Sequence, residues 1–154
     1  MSTQADFTEQ QWADITEAPL QIIMTMFAAG EHGPISAIKE SAAGAKVLSE
    51  PGNRGVATGL INEIVPAAKS REARKGAEKP EGDSFAAIID DGVNDLKPAA
   101  AALSTLPAEE AQGVGVWLVD IAAAVAGAAK GVSDTERETV AKIAGVFAVP
   151  VPPL

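Results

Sequence analysis

The sequence predicts an all-α fold, a compact helical bundle, on three observations. Apolar residues recur three and four positions apart in segment after segment, and no stretch shows the period-two alternation of a strand. Of the 47% hydrophobic residues only a small share is aromatic, with no Tyr, so Ala, Val, Ile and Leu must fill the core. That composition suits helices in close contact better than a sheet sandwich. Prolines, glycines and short polar side chains fall where the periodic runs begin and end.

In chain order, Thr8 and Gln11 form a capping box, and Trp12, Ile15, Pro19, Ile22 and Met26 follow as one apolar stripe. Pro19 removes a backbone donor, which predicts a break into segments 8–17 and 19–29, ended by Gly30. Pro34 opens the next helix, whose inward face reads Ile35, Ile38, Ala42, Ala45 and Leu48, and SEPGNRG (49–55) closes it. Val56, Leu60, Ile61, Ile64 and Val65 mark a third helix that ends or kinks at Pro66. Residues 68–82 carry no apolar side chain larger than Ala and read as a solvated charged connector, helical at its start.

Beyond it, Ser84 caps a helix with Phe85, Ile88, Ile89, Val93 and Leu96 inward and Asp90, Asp91, Asn94 and Asp95 outward. Pro98 and Pro107 read as first-turn prolines. The central helix runs from about Pro107 to Ala129, with Val114, Leu118, Ile121 and Val125 on one face. Gly113, Val116, Asp120, Ala123, Ala124 and Gly127 form a small-residue face that admits a close helix neighbour. Ser133 and Glu136 form a second capping box, Val140, Ile143, Ala144 and Phe147 pack inward, and Glu138 with Lys142 makes an i,i+4 pair. The tail VPVPPL is extended. The chain thus reads as one domain, 1–154, with lobes 7–67 and 83–149 joined by the connector 68–82 and followed by the tail 150–154.

The net charge is −9, carried by the two lobes, while the connector is basic. An acidic surface repels phosphate backbones and anionic headgroups, which argues against nucleic-acid and membrane-surface partners. The connector bases Lys69, Arg71, Arg74, Lys75 and Lys79 lack the interleaved aromatics of a single-strand binder. The apolar run Gly113 to Ala129 is too short and too rich in Ala and Gly for a stable membrane span. Without cysteine, and without a basic-then-apolar order in MSTQADFTEQQW, a cytoplasmic location is expected.

Two stretches, MFAAGEHGPISAIKESAAGAKVL and AVAGAAKGVSDTERETVAKIAGVF, share an order: an apolar helix ending in Ala and Gly, a turn, an apolar residue, then Ser. Ser36 matches Ser133, so the bundle is expected to rest on two pseudo-repeated helical hairpins. The second corner, AKGVSDTE from Ala129 to Glu136, resembles the TerB-like, tellurite-resistance-associated helical family. That family's corner reads Ala-Asp-Gly, a hydrophobic residue, Ser or Thr, and Glu three residues on. Lys130 stands where the family has Asp, the turn is one residue shorter, and the first copy, EHGPISAIKE, is looser. The resemblance implies an all-helical bundle linked to stress responses, with an acidic surface that takes divalent cations in family members, and Lys130 in place of the corner Asp argues against metal binding at that corner.

No catalytic constellation emerges. His32 is the single histidine and has no nucleophile motif beside it, so it reads as a turn residue. GNRG lacks the spacing of a phosphate loop, and no cofactor is implied. Asp90, Asp91 and Asp95 crowd one helix and are the candidate oxygen ligands for a divalent cation, although DDGVND lacks the EF-hand spacing. Asp120, in the middle of an apolar helix, needs solvent or a partner, and Lys130 and Arg137 are near it in sequence. The function expected is a non-enzymatic acidic interaction module whose partner is a protein or a second copy. The alternative is a divalent-cation-binding or small enzymatic domain.

Overall fold

The computed structural model describes residues 1–30, 34–128 and 131–154. The expectations for His32 and Lys130, and for the side chains of Ile35, Ser36 and Ile38, fall outside the described parts, as do the first corner of the pseudo-repeat and residues 129–130 of the second. Among the described residues every regular element is helical. The α-helices are α1 (Glu9–Gly30), α2 (Pro34–Ser49), α3 (Thr58–Ala68), α4 (Arg71–Gly76), α5 (Phe85–Asn94), α6 (Lys97–Leu103), α7 (Ala108–Gly127) and α8 (Asp134–Val146). Short 3-10 turns precede α1 and α3. None of the described helices is long and apolar enough to cross a membrane.

Two long helices, α1 and α7, organise the bundle. α1 packs against α3, α4, α5, α6, α7 and α8, while α2 lies chiefly on α7. The buried apolar side chains form one cluster drawn from both sides of residues 68–82. At its centre Trp117 is fully buried, and its indole N–H donates to the Val47 carbonyl at 3.2 Å. A polar group in an apolar core thereby finds a partner, and a last-turn carbonyl of α2 that has no helical donor is satisfied.

Pro19 does not break α1, which runs unbroken through it. A buried proline costs about 3 kcal/mol in a helix interior. Ile15, Ala18, Ile22, Ile23, Met26 and Ala29 on both sides of it are buried. At about 1.5–3 kcal/mol for each large side chain, one continuous stripe outweighs the lost hydrogen bond. α3 likewise passes Pro66 and reaches Ala68, which joins the core. The segment read as a free connector is attached too: Ala73 and Pro80 are buried, and α4 leans on α1. Alanine suffices as an anchor where the helices come close.

Several helices sit rotated from their expected faces. In α2, Ala42 and Ala45 are exposed, whereas Glu40, Gly44 and Leu48 are buried. A Cβ on Gly44 would lie 2.8 Å from Val125 Cγ2 and 3.2 Å from Ile23 Cγ1, so the point of closest approach sets the face. In α5 the pivot is Gly92, where a Cβ would collide with the Thr25 hydroxyl, itself held by donation to the Gln21 carbonyl at 2.7 Å. Ile89 and Leu96 are buried as expected and Val93 packs on the core, but α5 leaves Phe85 58% exposed and brings Asp91 and Asp95 partly inward. Val56, also expected inside, is exposed in the turn before α3.

α8 ends in a Schellman arrangement. The Val149 N–H donates to the Ala144 carbonyl at 3.1 Å and the Ala148 N–H to Gly145 at 3.3 Å. Ala148 occupies the left-handed position, with φ +53°, that glycine normally fills. Two outcomes follow from these backbone contacts. Gly92→Ala, which improves intrinsic helix propensity, should instead destabilise the protein by about 1–3 kcal/mol through overpacking against Thr25. Ala148→Gly should stabilise it by about 0.5–1 kcal/mol. Urea midpoints at constant m-value read both.

Candidate functional site

The prolines that start α6 and precede α7 place their first turns beside the end of α8, and a groove of about 490 Å³ lies between them. Leu103, Leu106, Ala108, Ala111, Val146 and Phe147 supply apolar walls, and Ser104 and Gln112 are the polar members. None of its lining side chains is charged. The Schellman turn puts Ala148 at its rim.

Across Gln112 lies a second concavity of about 280 Å³, lined by Arg54, Glu109, Gln112, Gly113 and Val116. Arg54 is fixed by its own turn: its backbone N–H donates to Thr58 Oγ1 at 2.8 Å and its Nε–H to the Pro51 carbonyl at 2.7 Å. Its Nη1 pairs with Asp120 Oδ2. The partner of Asp120 therefore comes from the turn after α2 rather than from Arg137, whose guanidinium donates to the Leu154 carbonyl. Both side chains keep some solvent exposure, 20% and 32%, so the pair contributes about 0–1 kcal/mol and fixes geometry more than stability. The small-residue face around Asp120 meets Ala57 at Gly113, but Ala123 and Ala124 are half-buried and Gly127 is open. Among the described residues, the close neighbour expected along that whole face is met at Gly113, by the 3-10 turn that holds Ala57.

The three aspartates proposed as cation ligands do not converge. Asp90 Oδ1 lies 3.1 Å from Lys142 Nζ, the lysine expected to pair with Glu138. Asp91 Oδ2 accepts the Glu81 N–H at 2.9 Å. Asp95 turns the other way, into a cavity of about 280 Å³ that also collects Asp14 and Glu17 from α1 and Glu78 from the segment after α4. Among the described residues no group of three or more His, Cys, Asp or Glu is placed to hold a metal ion. Burial, then the neighbouring Asp91 and Glu78, push the Asp95 carboxyl up to about 6. Burial, then Asp14 and Glu78, raise that of Glu17.

The capping residues act locally. Thr8 Oγ1 accepts the Gln11 N–H at 3.1 Å, and Gln11 returns the bond to the Thr8 N–H at 2.9 Å. Ser133 and Glu136 do the same at 3.1 and 3.0 Å. Glu136 is fully buried, so this corner belongs to the packed interior as well as to the cap. Glu110, read in sequence only as a favourable charge at a helix start, is also buried, where its carboxylate accepts from the Ser2 N–H and hydroxyl at 2.9 and 3.0 Å.

The raised Asp95 carboxyl fixes the sign of a pH effect. An acid whose folded pKa lies above its unfolded value stabilises the fold below the unfolded pKa, and that contribution disappears as pH rises through the folded one. The relevant window runs from the ordinary aspartate value of 3.8 to about 6. Asp95→Asn should therefore match the wild type near pH 4 and exceed it at neutral pH by about 1 kcal/mol, a figure reduced for partial exposure. Urea unfolding at the two pH values measures the difference.

In comparisons with known proteins, no family model, curated protein or solved structure matches the chain.

Proposed function

We propose that the chain is a non-enzymatic interaction module that associates with a second copy of itself through the groove between α6, α7 and α8. The observation that carries this reading is the absence of charge from the lining of a groove of about 490 Å³, on a chain of net charge −9. Two strongly acidic copies repel, and the electrostatic cost of contact is least where neither presents an ionised side chain. An isologous contact also needs one patch that is compatible with itself, which an uncharged apolar surface provides and an acidic one does not. A stress-associated role is part of the proposal and rests on the TerB-like resemblance of the corner from Ala129 to Glu136.

Analytical ultracentrifugation across a concentration series tests it. The wild type should shift reversibly from monomer to dimer. Ala108→Glu, an exposed change at the groove wall, should remain monomeric with an unchanged helical CD spectrum. A monomeric wild type throughout the series, or a dimer indifferent to Ala108→Glu, overturns the reading. Saturable Ca²⁺ or Mg²⁺ binding in a calorimetric titration would instead favour the cation-binding alternative.

A further inference from the structure

The cavity that receives Asp95 is formed where three parts of the chain distant in sequence meet. α1 contributes Asp14 and Glu17, one turn apart; the end of α4 and its successor contribute Gly76 and Glu78; the end of α5 contributes Asp95, with Asp91 one turn back. The lining holds no basic side chain. α6 adds the uncharged Pro98, and on α4 the Arg74 guanidinium is turned to the Lys69 carbonyl at 3.1 Å. The contact is tight: a Cβ on Gly76 would collide with Glu17 Oε1. Asp95 Oδ2 is shut off from solvent and has no hydrogen-bond partner among the described residues. The far end of the segment is tied down by the Glu81 N–H on Asp91 Oδ2 and by buried Pro80.

We propose that this seam is a proton-operated clasp, in which proton uptake by the facing carboxyls closes residues 76–84 onto α1 and α5 and ionisation loosens them. A protonated carboxyl can donate O–H···O⁻ to a neighbouring carboxylate, the strong charge-assisted form of the bond, and Asp95 Oδ2 then gains the partner it lacks. With all four lining carboxylates ionised, like charges face one another across a small cavity, and the charge nearest the protein interior has nothing to oppose it. The element free to yield is the short segment after α4, since α1 and α5 are locked together at Gly92 and Thr25. Burial and the facing acids raise both Asp95 and Glu17, which puts the transition in mildly acidic conditions.

Hydrogen–deuterium exchange at a fixed neutral pH tests the clasp without confounding intrinsic exchange rates. In the double variant Glu17→Gln, Asp95→Asn, which imitates the protonated seam, peptides spanning 76–84 should exchange on the order of tenfold more slowly than in the wild type. Peptides from α7, which sense only the change in global stability, should gain distinctly less protection. No added protection at 76–84, or equal added protection in α7, overturns the proposal, the second because it reports global stability alone. A wild-type measurement stands beside it should the variant fold poorly. In an NMR titration the backbone amides of residues 77–79 and 81–83 should shift with the midpoint of the Asp95 carboxyl, and amides that ignore that midpoint overturn the proposal equally.

Discussion

The rest of the structure depends on the burial of Trp117. A chain with two Trp, four Phe and no Tyr has few side chains large enough to fill the space where long helices cross. The one fully buried aromatic stands in the middle of α7 and carries a polar N–H that the core must satisfy. The Val47 carbonyl at the end of α2 does so, and this hydrogen bond sets how far along α7 the second helix lies. Once α2 is seated, Gly44 meets Val125 of α7 and Ile23 of α1, and the three helices share one contact. The remaining elements are layered on α1, through alanines and glycines whose small size exchanges side-chain area for proximity.

This reliance on closest approach explains which features were legible in the sequence. Element type and order were readable, because periodicity, capping residues and first-turn prolines are properties of a segment by itself. Val140, Ile143, Ala144 and Phe147 in α8, and Val114, Leu118, Ile121 and Val125 in α7, are buried as their spacing required. The face of α2 was misread at Ala42 and Ala45 and that of α5 at Phe85, because spacing alone leaves the exact rotation of a helix undetermined until one of its own glycines meets a neighbour. Ala42 and Ala45 look as apolar as Gly44, yet only the position without a Cβ can sit against Val125. Pro19 shows the complementary limit. A local penalty of about 3 kcal/mol is visible in the sequence, while the shared burial that exceeds it is tertiary.

Polar features divide along the same line. The capping boxes at Thr8 and Ser133 join residues three apart and could be read directly. Asp120 declared its need for a partner by standing in an apolar helix, but proximity in sequence pointed to Lys130 and Arg137, and Arg54 lies 66 positions away. The acidic seam was invisible for the same reason. Glu78 belongs to the connector that reads as solvated, Asp14 and Glu17 lie off the apolar stripe of the first helix, and Asp95 was grouped with Asp90 and Asp91 because they share a helix. The rotation of α5 about Gly92 sends Asp90 to Lys142 and Asp95 to the seam, so a packing contact separates residues that the sequence had joined.

The uncharged groove and the acidic seam are built from different parts of the fold but have α6 in common. Pro98 at its start lines the seam, and Ala100 and Leu103 line the groove. α6 is held between them by buried Ala99, Ala102 and Leu103, so it stands fixed while the segment after α4 is the element free to yield. A helix anchored in the core therefore separates the face whose charge varies with protonation from the face that carries no charge, and a contact made at the groove would not have to meet the changing charge of the seam.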